Sequence, residues 1–314
     1  MSWQPSATIS ALRQRAQFIA KIRDFFHKRG YLEVDTPSMA RFGITDVYLS
    51  NIKATFRGKT YYLQTSPEYH MKRLLAAGSG PIFQLARSFR DDELGRWHNP
   101  EFTMLEWYQL NIDHHGLIAE IDELLQLILS CPPLIKKTYQ QAFLEVCDLD
   151  PLSASIMDLK SCLLNYDLDN VLARDEEDKD QYLFLLMSHV IEPAFTDLNA
   201  PVAIYDFPPS QAALAQVNND VAERFEIYVK GIELANGFHE LTDAKIQRER
   251  FKSDNALRQA KSLERAEVDE YFLNALEVGL PSCSGVALGV DRLISLALNQ
   301  THISSVLAFD FSRA

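Results

Sequence analysis

The chain has 314 residues, 47% of them apolar, which is enough for a large core in one big domain or two smaller ones. Lys and Arg number 31 against 43 Asp and Glu, a net charge of −12, which argues against nonspecific nucleic-acid binding, a property carried by Lys and Arg. Cys131, Cys147, Cys162 and Cys283 show no CxxC or Cys/His metal spacing, the N-terminus carries no basic-then-apolar leader, and no window approaches the roughly 18 apolar residues of a membrane span, so the chain reads as a soluble, cytoplasmic protein with reduced thiols and no membrane partner.

Residues 9 to 29 carry apolar side chains at helical spacing (Ile9, Leu12, Ala16, Ile19, Ile22, Phe26), with Gly30 as the stop. A short strand over 31–34 runs into Pro37, and another is expected over 61–63. Ser66-Pro67-Glu68 is a helix start, with Ser66 as N-cap, Pro67 at the first helical position and an acid in the first turn; that helix runs to about Ala77. Strands follow near 82–90 and 101–109, then a helix near 114–130 closed by Pro132-Pro133. Residues 139 to 200 read as a mainly helical insertion, with the charge run Arg174–Asp180 as a solvated surface. Strands resume near 202–207 and 225–240, helices near 245–262 and 267–278, and a strand–helix pair (286–290, 291–299) ends the pattern. Hairpin-like strands with helices grouped between them favour an α+β fold, an antiparallel sheet flanked by helices.

The densest chemistry lies in residues 89–108, FRDDELGRWHNPEFTMLEWY. Side chains two apart on a strand share a face, so Phe102, Met104, Glu106 and Tyr108 point one way and Glu101, Thr103, Leu105 and Trp107 the other. One face thus offers an aromatic plate, a carboxylate and a phenol, with Arg90 on the neighbouring strand, an outfit for a flat base, a phosphate and a cation. This segment resembles motif 2 of the class II aminoacyl-tRNA synthetases, most closely the lysyl branch. Gly285-Val-Ala-Leu-Gly289-Val-Asp291-Arg292-Leu resembles motif 3, and Gly30-Tyr-Leu-Glu-Val-Asp-Thr-Pro37 resembles motif 1. The three stand in the family's order and span residues 12 to 310, so the resemblance implies the class II synthetase catalytic fold over 1–314 as a single domain. Lysyl-tRNA synthetases also carry an N-terminal OB-fold that reads the anticodon; with the motif 1 proline already at residue 37 there is no room for that five-stranded barrel here. The resemblance is therefore to a freestanding catalytic core, and the chain resembles the elongation factor P–(R)-β-lysine ligase family, a lysyl-synthetase paralogue that modifies a protein and reads no tRNA anticodon.

The resemblance implies roles residue by residue. Arg90 and Arg292 are the expected catalytic residues: Arg90 clamps the substrate carboxylate and α-phosphate of ATP, and Arg292, at a helix start after Gly289, meets the γ-phosphate. Phe102 stacks on adenine, and Asp92, His98, Asn99, Glu233, Leu234 and Gly289 complete the ATP set; the family usually has Glu where Asp92 stands. Glu226 and Glu233 are the expected Mg²⁺ ligands, as hard oxygens suit that ion. The two have opposite parity on a flat strand, so the assignment requires a bulge, for which Gly231 is the expected host. Ser66, Pro67, Glu68, Glu106, Tyr108, Asn236, Phe238, Glu240 and Ala287 form the expected substrate pocket. Several carboxylates around one pocket repel each other unless a dication fills it, which fits lysine or β-lysine and does not separate them. Lysyl synthetases have Gly-Leu-Gly where this chain has Gly285-Val286-Ala287, and alanine at that position matches the β-lysine ligase family. The expected activity is ATP-dependent activation of (R)-β-lysine as an adenylate and its transfer to a lysine ε-amine of elongation factor P, by a homodimer built through motif 1. A truncated lysyl-tRNA synthetase and a catalytically silent paralogue acting as a binding module stand as alternatives.

Overall fold

The computed structural model describes residues 3–91 and 94–314. Helix α1 (Ile9–His27) is followed by strands β1 (Leu32–Glu33), β2 (Met39–Ala40), β3 (Lys53–Phe56) and β4 (Lys59–Leu63), helix α2 (Glu68–Ala76), and strands β5 (Ile82–Phe89) and β6 (Glu101–Leu110). Helix α3 (His114–Leu129) leads to β7 (Ile135–Thr138) and helices α4 (Tyr139–Cys147), α5 (Ile156–Asn165), α6 (Lys179–Leu186) and α7 (Glu192–Ala194), with a π turn, Met187–Ile191, between the last two. Then come β8 (Val202–Phe207), β9 (Val217–Asn218), β10 (Val221–Val229), β11 (Ile232–His239), α8 (Ala244–Ala260), α9 (Glu270–Gly279), β12 (Cys283–Gly289) and α10 (Val290–Ala297).

These elements fall into two compact units. The first takes in the described residues up to Asp113, with Leu127–Leu129 and Glu240–Ala314; the second takes in His114–Gln126 and Ser130–His239.

In the first unit the strands lie in the order β1-β5-β6-β12. Strands β5 and β6 pair antiparallel, as do β6 and β12, and β1 pairs parallel to β5. The period-two alternation of β6 decides its faces. Trp107 and Leu105 are fully buried on one side, where Phe26 of α1 stacks on Phe83 at 4.7 Å and meets Trp107 edge-on at 5.1 Å. Helix α1 therefore covers that face, and Thr8 caps it by accepting from the Ala11 amide at 3.1 Å. Helix α2 packs on α9 through the stacked rings of Tyr69 and Phe272, 4.5 Å apart. A separate three-stranded sheet, β2-β4-β3, is antiparallel throughout.

In the second unit the order is β11-β10-β8-β7, with β9 on β10. Its helices pack a core of Tyr139, Phe143, Leu159, Leu186 and Ile204. Two of them begin with reciprocal caps, Thr138 with Gln141 and Ser155 with Asp158. The pair β7 and β8 is parallel.

The expected antiparallel sheet is thus a mixed one. Both parallel pairs join strands separated by long crossovers, through α2 and the small sheet for β1 and β5 and through α4–α7 for β7 and β8, and parallel pairing needs such a connection. The stretch expected as strand over 225–240 is a hairpin. Lys230 and Gly231 form its two-residue turn with φ of 53° and 72°. Gly231 is required there twice over, because a Cβ would also lie 2.7 Å from Thr196 Oγ1 and 2.9 Å from the Glu192 carbonyl oxygen. Among the described residues no helix is long and apolar enough to cross a membrane.

Candidate active site

In the first unit, α2 and β6 bring a cluster of acids together. Pro67 rather than Ser66 is the N-cap of α2, and the Ser66 hydroxyl accepts from the Glu68 amide at 3.1 Å. That hydroxyl donates in turn to Glu106 Oε2 at 2.5 Å, while the Tyr108 hydroxyl donates to Glu106 Oε1 at 2.7 Å. One helical turn beyond Glu68, Lys72 places its Nζ 2.6 Å from Glu68 Oε1 and 2.5 Å from Glu240 Oε2. Glu240 is fixed at its backbone, its amide donating to the Cys283 carbonyl at 3.0 Å.

Strand β12 forms the neighbouring wall. In its register with β6, Gly285 lies opposite Tyr108 and Ala287 opposite Glu106, so the alanine methyl stands on the carboxylate face. A Cβ on residue 285 would collide with the Tyr108 ring and lie 2.5 Å from Glu240 Oε1, so only glycine fits. Ser66, Glu68, Glu106, Tyr108, Glu240 and Ala287 thus come together, with Pro67 opening the helix that carries Glu68.

The charges of this cluster follow from its burial. Burial, then the Glu68 carboxylate, push the Glu106 carboxyl up to about 8 against the lowering effect of the Ser66 and Tyr108 hydroxyls. Burial also pushes Glu240 up to about 8, against the opposing pull of Lys72. Burial alone would lower Lys72, but Glu240 and Glu68 outweigh it and raise it above its ordinary value. Burial thus sets the two carboxyls high, with Glu68 adding to it, while the two carboxylates bonded to Lys72 keep its ammonium charged.

The residues expected at the nucleotide form a second group in the same unit. The Arg90 guanidinium lies 5.2 Å from the centre of the Phe102 ring, and the Arg90 amide donates to the Pro100 carbonyl at 3.0 Å, closing the loop between β5 and β6. Arg292 leaves the first turn of α10, which Gly289 caps; its Nε donates to the Trp97 carbonyl at 3.2 Å and its Nη2 lies 2.7 Å from His98 Nε2. Asn99 uses its amide on backbone, donating to the Glu101 carbonyl at 2.6 Å and accepting from the Phe311 amide at 3.0 Å, so it ties the loop to the chain end. Asp92 lies outside the described residues.

The second unit holds the other expected residues. Glu226 is buried; Arg224 and the Tyr228 hydroxyl both donate to it, and Asn236 Nδ2 approaches it at 3.5 Å. Phe238 pairs with Arg224 in the register. The register of β10 with β11 shifts between Ile227 and Tyr228, leaving Leu234 unpaired, so that Glu233 lies across from Tyr228 while Asn236 lies across from Glu226. That shift turns Glu233 to the face of Glu226, and it sits at Leu234 rather than at Gly231, which belongs to the turn. Leu234 itself is buried at the bulge. Two hard carboxylates on one face suit Mg²⁺, which takes one or two carboxylates and leaves its remaining positions to water and phosphate; among the described residues no set of three or more acidic, His or Cys groups forms a full protein cage.

Two participants escaped the sequence reading. Lys72 stands at the i,i+4 spacing from Glu68 that usually marks a surface pair, yet its side chain is only 1% exposed. Asp291, within the motif 3 run, accepts from the Thr103 amide at 2.8 Å and pairs with Arg15 of α1 at 2.6 Å, pinning the start of α10 to β6 and α1.

The family described as tRNA synthetases class II (D, K and N) matches residues 2–313. A curated relative, an elongation factor P–(R)-beta-lysine ligase of Edwardsiella ictaluri (strain 93-146), is 53% identical over 322 aligned positions, which cover 100% of this chain and 98% of that protein.

Proposed function

The chain belongs to the class II tRNA synthetases (D, K and N), and from that premise we propose that it is an ATP-dependent ligase that activates (R)-β-lysine as an acyl-adenylate and transfers the β-lysyl group to a lysine ε-amine of elongation factor P. In the first step a substrate carboxylate oxygen attacks the α-phosphorus of ATP, the bond to the β-phosphate oxygen breaks, and pyrophosphate leaves. In the second step the acceptor amine attacks the acyl carbon, AMP departs with the acyl–phosphate bond pair, and the amine loses a proton. The nucleophile of the first step is already an anion, so that step needs positioning and charge neutralisation rather than a protein base.

The observation that carries the reading is the cluster of Glu68, Glu106 and Glu240 around Lys72. Buried carboxylates in excess of cations stay ionised only when a cationic ligand joins them. A diaminocarboxylate supplies two ammonium groups, and Arg90 suits its carboxylate as a planar two-pronged donor. Phe102 beside Arg90 offers a stacking surface for adenine, and Arg292 at a helix start offers a cation for the terminal phosphate. Glu226 and Glu233 of the second unit would hold Mg²⁺, which supplies charge neutralisation to phosphate oxygens. Ala287, opposite Glu106, removes space beside the reactive end of the substrate and is read as the choice of β- over α-lysine.

Exchange of labelled pyrophosphate into ATP tests the activation step. It should depend on (R)-β-lysine and run more slowly with α-lysine. Exchange that is indifferent to either amino acid would remove the adenylate chemistry, and a preference for α-lysine would favour a lysyl-tRNA synthetase instead.

A further inference from the structure

Lys72 is assigned no step in that reaction, yet it is embedded in the acidic cluster. It stands one turn after Glu68 on α2 with its side chain 1% exposed, 2.6 Å from Glu68 and 2.5 Å from Glu240. Strand β6 brings Glu106 and Tyr108 to the same cluster, Cys283 begins the wall on β12, and α9 presents the Phe272 ring 5.8 Å from Nζ. Packing alone does not call for an ammonium at such a place, because a buried charge is costly and an apolar side chain of similar length fills the volume. What the ammonium adds is a fixed positive charge bridging two carboxylates that come from distant parts of the chain.

We propose that Lys72 is a positioning residue, a built-in counter-ion that holds Glu68 and Glu240 aimed into the pocket and sets at two the number of ammonium groups the pocket demands of its ligand. Three carboxylates against one ammonium leave two negative charges. A ligand with two ammonium groups neutralises them; a ligand with one leaves a buried carboxylate unmatched, which must take up a proton instead. This inference rests on reading the cluster as the substrate pocket of the proposed ligase. It adds the residue that fixes the charge selectivity of that pocket.

The test is calorimetric binding by the full chain of (R)-β-lysine, α-lysine and the mono-ammonium compound 6-aminohexanoate, between about pH 6 and pH 9. Wild type should bind at least one of the two diamino acids, at least about tenfold more tightly than 6-aminohexanoate, with affinity rising as pH climbs through about 8, where Glu106 and Glu240 give up their protons. In Lys72→Met the rise should move upward by about one pH unit or more, because the carboxylates have lost their counter-ion, and affinity at neutral pH should fall about tenfold or more. In Lys72→Ala, added propylammonium should restore affinity and the neutral propanol should not. A folded Lys72→Met with the wild-type pH profile, or equal rescue by propanol, would reduce Lys72 to a space-filling role and overturn the proposal. Should neither variant fold, proton release by wild type decides: at neutral pH the bound diamino acid should drive protons into the buffer, and no release would overturn the proposal. A wild type that binds α-lysine and rejects β-lysine, with the profile still shifted in Lys72→Met, would sink the functional reading and leave the role of Lys72 standing. A β-lysine preference with an unshifted profile would do the reverse.

Discussion

Removing the guanidinium of Arg292, which leaves the first turn of α10 and rests on the Trp97 carbonyl, should lower amino-acid-dependent pyrophosphate exchange by about a hundredfold or more while the fold persists. Near-normal exchange in Arg292→Ala would take this arginine out of the site. Ala287→Gly should shift the ratio of kcat/KM from β-lysine toward α-lysine by about 10- to 200-fold, since one methyl opposite Glu106 is the difference at issue. A ratio that stays within about twofold would strip Ala287 of that role. Glu106 links the pocket to stability. Its carboxyl is raised from 4.5 to about 8, so between those pH values the folded chain holds a proton that the unfolded chain has released. Stability without ligand should therefore fall as pH rises from about 5 to about 8, and Glu106→Gln should flatten the slope of Tm against pH. A slope unchanged by Glu106→Gln would mean that this carboxyl is not the group concerned. Arg90, Phe102, Glu106 and Tyr108 are legible in the sequence because they lie within one contiguous run whose strand period fixes their faces. Lys72 is not, since its spacing from Glu68 is that of any exposed helical pair and its burial comes from groups distant in the chain, Glu240 and Phe272 among them.

At the scale of elements, a buried carboxylate ties α10 to its neighbours, in addition to the buried Val290, Leu293 and Ile294. Asp291 accepts from the Thr103 amide and pairs with Arg15, and all three are largely buried. Asp291→Ala leaves Arg15 and an amide without that partner, and removing one member of a buried pair costs about 3–5 kcal/mol. A stability loss of that size in denaturant unfolding is expected, together with weaker ATP binding as Arg292 loses its anchor. A loss below about 1 kcal/mol would show that α10 is held by its apolar contacts instead. The long helices and strands follow from periodicity: α1, β5, β6 and α3 lie within two residues of their expected bounds. The facing of Glu226 and Glu233 does not follow, because it depends on pairing across a hairpin. Gly231 signals a departure from regular strand, but its positive φ serves the turn, and the register shift falls on Leu234, a residue with no turn or bulge signature of its own. The parallel pairings of β1 with β5 and of β7 with β8 are equally silent, since strand direction is set by the crossovers and leaves no mark on a two- or four-residue strand.

For the whole molecule, the motif 1 segment, α1 through Pro37, is expected to build a two-fold interface. Light scattering at micromolar concentration should give twice 35.8 kDa, and a mass near 35.8 kDa would contradict a dimer. Net charge of −12 bears on the acceptor, because a chain of that charge attracts a polyanion weakly. The activated β-lysyl group should go to a protein amine, and offering both acceptors to one preparation separates the two outcomes. The chain is charged with labelled (R)-β-lysine and ATP, then divided between purified elongation factor P and purified tRNA. The label should appear on a lysine of elongation factor P, in a linkage that survives mild alkali as an amide does, and tRNA should stay unlabelled. Label on tRNA, in an alkali-labile ester, with elongation factor P unlabelled, would make the chain a tRNA-charging enzyme instead.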